Sequence, residues 1–440
     1  MRRIGNLYDS MISYRNIVFV YNRIRSKCHN KNKIMYFDRY KNCYLIDILE
    51  RLKSGNYRFS RYNIFLIHEK KYRIIMSENI FDKIVNQMIS YYILLPSMKC
   101  LIDSNIATRR NKGSGYGYEL FDSYVKSIGN REIYVLRIDI SKYFYNIDHD
   151  ILFSMLEKRI KDKKALFILK KIISLTDYDY VNKSISYLIN REIKRVNSLN
   201  ISVNEKNKLI DELKSIPLYN NGKGLSIGCL SNQLMAVFYL NDLDHYIKEV
   251  LGCKYYIRYM DDIYILSGDY NYLKWCFGSI IDELRGIKLD VNKKSGIYRL
   301  KEGVSFLGYT YINGFIRYDS NTIRRINRKI KYLYDNDFDL FFRSISSYKG
   351  YFIRCNTSLF FSRYNDLCMN SRYDKYLVIK KRYSNYLVFI KYRNRYYTYG
   401  NDLCYVNKRF GTNYRWFKRS VVYSFDNVII FMDNSIVVRG

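Results

Sequence analysis

Two runs of aromatic and β-branched residues, Lys254-Tyr-Tyr-Ile-Arg258 and Ile263-Tyr-Ile-Leu266, flank Tyr259-Met260-Asp261-Asp262. Such runs joined by a short polar turn predict a β-hairpin with two carboxylates at its tip. Adjacent like charges repel unless a cation sits between them. The tip is therefore either a solvated turn, where Asp is common, or a divalent-metal site. Upstream, Arg131-Glu-Ile-Tyr-Val-Leu-Arg-Ile138 reads as a strand that delivers Asp139 at its end. Three carboxylates can then converge on one face of a sheet. Two metals about 3.5–4 Å apart in such a cluster can activate an attacking hydroxyl and stabilise the leaving oxygen of an in-line phosphoryl displacement. Magnesium suits this because it takes hard carboxylate oxygens and keeps positions open for phosphate.

Charge points to the same partner class. The 440-residue chain has 75 Lys and Arg against 41 Asp and Glu, a net +34. That excess predicts a polyanionic partner bound less tightly as salt rises, although AT-rich coding accounts for part of it. Many of the 49 tyrosines alternate with cations, as in Tyr392-Arg-Asn-Arg-Tyr-Tyr397, a mixture that can stack on unpaired bases while tracking a backbone. Most of them are expected in the core. Nine scattered cysteines without a C-x-x-C pair, and only four histidines, argue against a zinc module or a disulfide framework. No apolar run approaches the roughly eighteen residues of a membrane span, and Met1-Arg-Arg-Ile-Gly-Asn precedes no hydrophobic signal region. The expectation is a cytoplasmic protein with no membrane partner.

The motifs occur in an order that resembles the reverse transcriptase family. Asp139 with Phe144 resembles the first palm motif, and Gly224-Leu-Ser-Ile-Gly228-Cys-Leu-Ser-Asn232-Gln233 the second. Tyr259-Met-Asp-Asp262 resembles the third, Leu289-Asp-Val-Asn-Lys-Lys294 the fourth, and Phe306-Leu-Gly-Tyr309 the fifth, the primer grip. Ile-Gly at 227–228 with Asn-Gln at 232–233, where many members have Gln-Gly and Ser-Pro, is similar to bacterial diversity-generating-retroelement and defence-associated lineages.

The resemblance implies an α+β right-hand polymerase of fingers, palm and thumb, with a ferredoxin-like palm and a small C-terminal α/β appendage. The expected limits are a basic helical extension at 1–60, fingers at 61–130, palm at 131–312 with a helical insertion at 151–222, thumb at 313–375, and the appendage at 376–440. Asp139, Asp261, Asp262 and the carbonyl of Ile140 would hold two magnesium ions, with manganese as a substitute. Arg109 and Lys112 in the basic loop 107–115, together with Arg73, would hold the incoming nucleotide's phosphates. Phe144 would exclude a ribose 2′ hydroxyl. Ile227, Gly228 and Gln233 would face the template–nucleotide pair, the motif's glycines letting main chain and ligand approach closely. Lys293 or Lys294, after a short strand at 287–291, would protonate pyrophosphate. Phe306, Leu307 and Gly308 would grip the primer. In a helix beginning near Ser320, Arg324 and Arg328 would hold duplex phosphates opposite an Ile323/Ile326/Ile330/Leu333 stripe.

Expected partners are an RNA template, a DNA or RNA primer, dNTPs, and an accessory protein for template removal or target cleavage, since no ribonuclease H cluster or Cys/His array follows the thumb region. An intron enzyme is disfavoured by the lack of a recognisable maturation tail. The alternatives are an inactive or partner-dependent RNA-binding module, and a DNA-templated or template-independent polymerase on the same palm. The 150–222 stretch is expected to pack beneath the palm. Gln233 is expected to open a helix running to Asp244. Strands are expected at 376–380, 386–392, 395–399 and 428–432, and 387–402 faintly resembles the first domain of MutS-type proteins.

Overall fold

The computed structural model describes residues 3–336 apart from 29–30, 70, 130–131, 313–314 and 319. Beyond these it describes 340–341, 343–344, 347–348, 372–392, 395–403, 405, 415–417, 420–422, 425–426 and 435–439. The chain divides into two compact units, Met1–Arg299 and Leu300–Gly440.

The first unit opens with helices α1 (Leu7–Met11), α2 (Tyr14–Lys27), α3 (Lys31–Arg39) and α4 (Lys41–Lys53). Ile17, Val20, Tyr21 and Ile24 recur at helical spacing along α2 and are buried, which is what folds so cationic a segment. An antiparallel hairpin follows, β1 (Asn63–His68) and β2 (Tyr72–Ser77). Helix α5 (Ile80–Ile89) is started by Asn79, whose side chain accepts from the Asp82 amide. The chain stays helical through Ser90–Leu94 and Leu95–Ser97, and a loop then leads to α6 (Ser114–Ile128).

After β3 (Tyr134–Asp139) come α7 (His149–Glu157), α8 (Lys163–Ile173), α9 (Asp179–Ser198) and α10 (Val203–Lys214). Leu152, Leu156, Leu169 and Ile172 seat α7 and α8 in the main core. Helices α9 and α10 depart from expectation by packing on the β1–β2 hairpin. Val181 and Ile185 of α9 cluster with Ile74 and Met76 of β2, while Val196 and Leu213 close on Tyr72. Each helix has one narrow apolar face, and the hairpin supplies its partner.

Helix α11 (Leu230–Tyr239) starts three residues before Gln233 and stops at Leu240, so the single helix expected from Gln233 to Asp244 is replaced by two, the second spanning Asn241–His245. Strands β4 (Tyr255–Tyr259) and β5 (Asp262–Ser267), helix α12 (Tyr270–Gly286) and β6 (Gly296–Arg299) complete the unit. The central sheet is antiparallel in the order β4-β5-β3-β6. Helix α12 packs across β3, β5 and β6, and α6 along β4. The strand expected at 287–291 does not form. Lys288 adopts a left-handed conformation (φ 60°), which interrupts an extended run, and only Val291 bridges to Ile140.

In the second unit β7 (Val304–Phe306), β8 (Tyr309–Ile312) and β9 (Phe315–Tyr318) form their own antiparallel sheet. Helix α13 (Ser320–Asn336) follows. Residues 376–380, expected as a strand, lie within helix α14 (Arg372–Arg382). Tyr376 and Ile379 are buried three residues apart, which is the helical period. A four-stranded sheet contains β10 (Leu387–Tyr392), β11 (Arg395–Tyr397), β12 (Phe425–Asp426) and β13 (Ser435–Arg439) in the order β12-β11-β10-β13, with β10 and β13 parallel. The Asp402 carboxylate joins α14 to this sheet, accepting from Lys380 Nζ at 2.6 Å and from the Val388 amide at 3.0 Å. The strand expected at 428–432 lies outside the described residues.

Candidate active site

Antiparallel pairing sets Asp139 of β3 directly opposite Asp262 of β5, and paired residues project from the same face of a sheet. Asp261 occupies the β4–β5 turn after Met260, which is held left-handed at φ 55°. Burial pushes the Asp261 carboxyl up to about 6, with the Asp139 charge adding to the effect. Burial also pushes Asp262 up to about 7, helped by the charges of Asp261 and Asp139 and opposed by Arg137, whose Nη2 stands 3.8 Å from Asp262 Oδ1. Carboxylates crowded and desolvated in this way gain most from a cation of hard character. Among the described residues no group of three or more His, Cys, Asp or Glu side chains is placed to hold a metal ion. Magnesium does not need such a group, since it is commonly held by one or two carboxylates plus water and substrate phosphate, so the donor set fits.

The main chain of Asp139 is fixed by the 292–295 turn. Its amide donates to Ser295 Oγ at 3.0 Å, and its carbonyl accepts from the Asn292 amide at 2.7 Å. Lys293 and Lys294 sit on that turn with exposed side chains. Ile140, next in line, is buried.

Beside the carboxylates lies a cavity of about 250 Å³ whose lining includes Arg73, Lys142, Phe144, Ile227 and Asp261. Five separate segments meet at this opening, the fifth being the stretch from Glu212 to Pro217. Arg73 is exposed on β2, and its charge acts on Asp261. Arg109 and Lys112 do not line the cavity. Lys112 Nζ bonds Asp103 Oδ1 at 3.0 Å, and Arg109 Nη1 bonds the Ile102 carbonyl at 2.5 Å, so both close their own loop. This loop runs along β4, with the Ile106 amide donating to the Arg258 carbonyl.

Of the three glycines at 222–228, Gly224 and Gly228 approach the chain itself, while a Cβ on Gly222 would meet open space. A Cβ on Gly228, at φ 138°, would lie 2.5 Å from the Met76 carbonyl oxygen, and one on Gly224 would meet the Tyr219 ring at 2.5 Å. The Ile227 carbonyl accepts from the Met76 amide at 2.9 Å, which ties this segment to β2. Gln233 is half-buried in the first turn of α11.

In the second unit, Leu307 and Gly308, both at positive φ, make the tight turn between β7 and β8, and Phe306 is buried. Along α13, Ile326, Ile330 and Leu333 are buried while Arg324 and Arg328 are exposed.

Sequence reasoning missed the support beneath the turn. Arg258 is wholly buried, pairs with both oxygens of Asp244 at 2.6 Å, and donates to the Met260 carbonyl at 2.8 Å and the Val237 carbonyl at 2.9 Å. Tyr256 donates to Asp244 at 2.5 Å. A cation inside an otherwise apolar strand run was the available signal.

Residues 63–311 match the family described as Reverse transcriptase (RNA-dependent DNA polymerase), a match covering more than half of the chain. The chain belongs to that family, and its mixed helix and sheet architecture is that of a right-hand polymerase. It is 28% identical over 201 residues to a putative COX1/OXI3 intron 2 protein of Saccharomyces cerevisiae, covering 40% of this chain and 23% of that protein. Among solved structures it aligns with telomerase from Candida albicans in complex with a TWJ fragment of telomeric RNA, at 14% identity over 64% of this chain and 51% of that one. The TM-score of 0.37 is too low to argue from. Among the described residues no helix is long and apolar enough to cross a membrane.

Proposed function

We propose that this protein is an RNA-directed DNA polymerase that extends a primer along a structured RNA template. The observation that carries the reading is the placement of Asp139 opposite Asp262, with Asp261 on the adjoining turn, at a cavity shared with Arg73 and Phe144. Asp139, Asp261 and the Ile140 carbonyl are the proposed ligands of two magnesium ions, and Asp262 supports them. When bound, the metals activate the primer 3′ hydroxyl and neutralise charge on the leaving pyrophosphate. Arg73 receives the triphosphate, and either Lys293 or Lys294 supplies a proton to pyrophosphate. The exposed Arg324 and Arg328 hold duplex phosphates without reading sequence.

Phe144 is half-buried in the cavity wall, and its proposed role is to refuse a ribose 2′ hydroxyl. Phe144→Ala is expected to raise incorporation of ribonucleotides relative to deoxyribonucleotides by about tenfold or more, the scale of a steric gate worth one to a few kcal/mol. Single-nucleotide insertion kinetics with both sugars check this, and unchanged discrimination would remove Phe144 from the assignment.

The direct test is magnesium-dependent extension of a DNA primer on poly(rA) and on matched DNA by purified protein. Extension on RNA supports the reading. Extension on DNA alone would replace it with a DNA-templated polymerase, and salt-sensitive RNA binding without extension would favour a binding module. For the native role, similarity to an intron protein favours an intron-borne RNA as template over a diversification or defence RNA. Sequencing RNA that co-purifies from cells separates these.

A further inference from the structure

The α9–α10 pair has no role in the reading above, yet its end reaches the cavity. Glu212, Ser215, Ile216 and Pro217 line the same opening as Arg73, Phe144 and Asp261. Glu212 Oε1 accepts from the Tyr72 amide at 2.7 Å, and Glu192 Oε1 of α9 accepts from the Tyr72 hydroxyl at 3.1 Å. The Tyr72 ring is buried against Val196 and Leu213. Both carboxylates and both helices therefore converge on the residue immediately before Arg73. Past Arg73 the hairpin is held again, by Ile74 and Met76 against Val181 and Ile185 and by the Met76 amide on the Ile227 carbonyl, so the Glu212 contact fixes the end of β2 that carries Arg73.

We propose that Glu212 is a positioning residue for the incoming nucleotide: by fixing the main chain at Tyr72 it sets where the Arg73 guanidinium stands, so the helical insertion determines triphosphate affinity. This rests on the polymerase reading. Tyr72 points into the α9–α10 cluster, and strand alternation turns Arg73 to the opposite side, where it is exposed. Holding one side of β2 holds the other, because a residue cannot slip in register while its neighbour's amide is bonded and its ring is buried. The bond from a backbone amide to a carboxylate is of the stronger, charge-assisted kind.

The test is steady-state insertion kinetics on a primed RNA template with wild-type protein, Glu212→Ala, Glu212→Gln, Arg73→Ala and the Arg73→Ala/Glu212→Ala pair. Glu212→Ala is expected to raise KM for dNTP about tenfold with kcat changed less than about twofold, the scale of one lost charge-assisted hydrogen bond. Glu212→Gln retains an acceptor for the Tyr72 amide and should stay within about threefold of wild type. In the Arg73→Ala background Glu212→Ala should add nothing further, since its effect passes through Arg73. Unchanged KM in Glu212→Ala, a loss confined to kcat, or full additivity with Arg73→Ala would each overturn the proposal. Should Glu212→Ala fail to fold, Glu212→Asp, which keeps the charge but withdraws the acceptor, reads the same KM. Inactive wild-type protein would instead refute the polymerase reading, so the two failures are distinct.

Discussion

Asp261→Asn should abolish primer extension, by about a thousandfold or more, while leaving the protein at least as stable as before. The activity loss follows from removing charge where two cations must be held against phosphate oxygens, a term among the largest in phosphoryl transfer. The stability expectation follows from the surroundings. Asp261 is desolvated, and the Asp139 charge opposes its ionisation. An amide of the same shape relieves that repulsion. Thermal unfolding in chelator should therefore give a melting temperature equal to or above that of wild type. Added magnesium should raise the wild-type value more than that of the variant, because a ligand stabilises only the state that binds it. A variant that melts lower in chelator would show that Asp261 serves packing. One that still extends primers would sink the metal assignment.

The parts of this site that were legible in the sequence are local. Two continuous runs of aromatic and β-branched residues around Tyr259–Asp262 define a hairpin without outside information, and the run before Asp139 delivers that residue to a strand end by the same logic. The α13 stripe was legible for the same reason, three- and four-residue spacing being an intrinsic property of the helix. What was not legible depends on partners far along the chain. The apolar faces of α9 and α10 announce only that something covers them, and the covering hairpin lies more than a hundred residues upstream. Arg109 and Lys112 look like free cations until Asp103 is seen to engage both. Residues 376–380 form a short apolar run whose period is ambiguous, and its burial on the sheet as a helix is a tertiary outcome. Glycines 224 and 228 were read as points of close approach to a ligand, and the atoms that crowd them belong to Tyr219 and Met76.

The buried pair beneath the turn gives the second large effect. Arg258→Met would leave Asp244 charged, with no exposed surface and with its principal partner gone. Breaking a buried ion pair from one side costs about 3–5 kcal/mol, which in a domain of this size corresponds to a fall in melting temperature of about 10 °C. Neutralising the other half as well, in Arg258→Met/Asp244→Asn, removes the stranded charge and keeps an acceptor for Tyr256, so most of the lost stability should return. Activity should not return with it. The Met260 carbonyl would still lack the donor that Arg258 provides at 2.8 Å, and Met260 must hold a left-handed conformation to present Asp261. Thermal unfolding and primer extension on the single and double variants read the two quantities separately. Recovered stability with extension still reduced about tenfold or more would assign Arg258 to holding the turn, since a loss of this size accompanies small misplacements of reacting groups. Recovery of both together would make the network a matter of packing alone, and the geometry of the Tyr259–Asp262 turn would then have to be set by the strand pairing of β4 with β5.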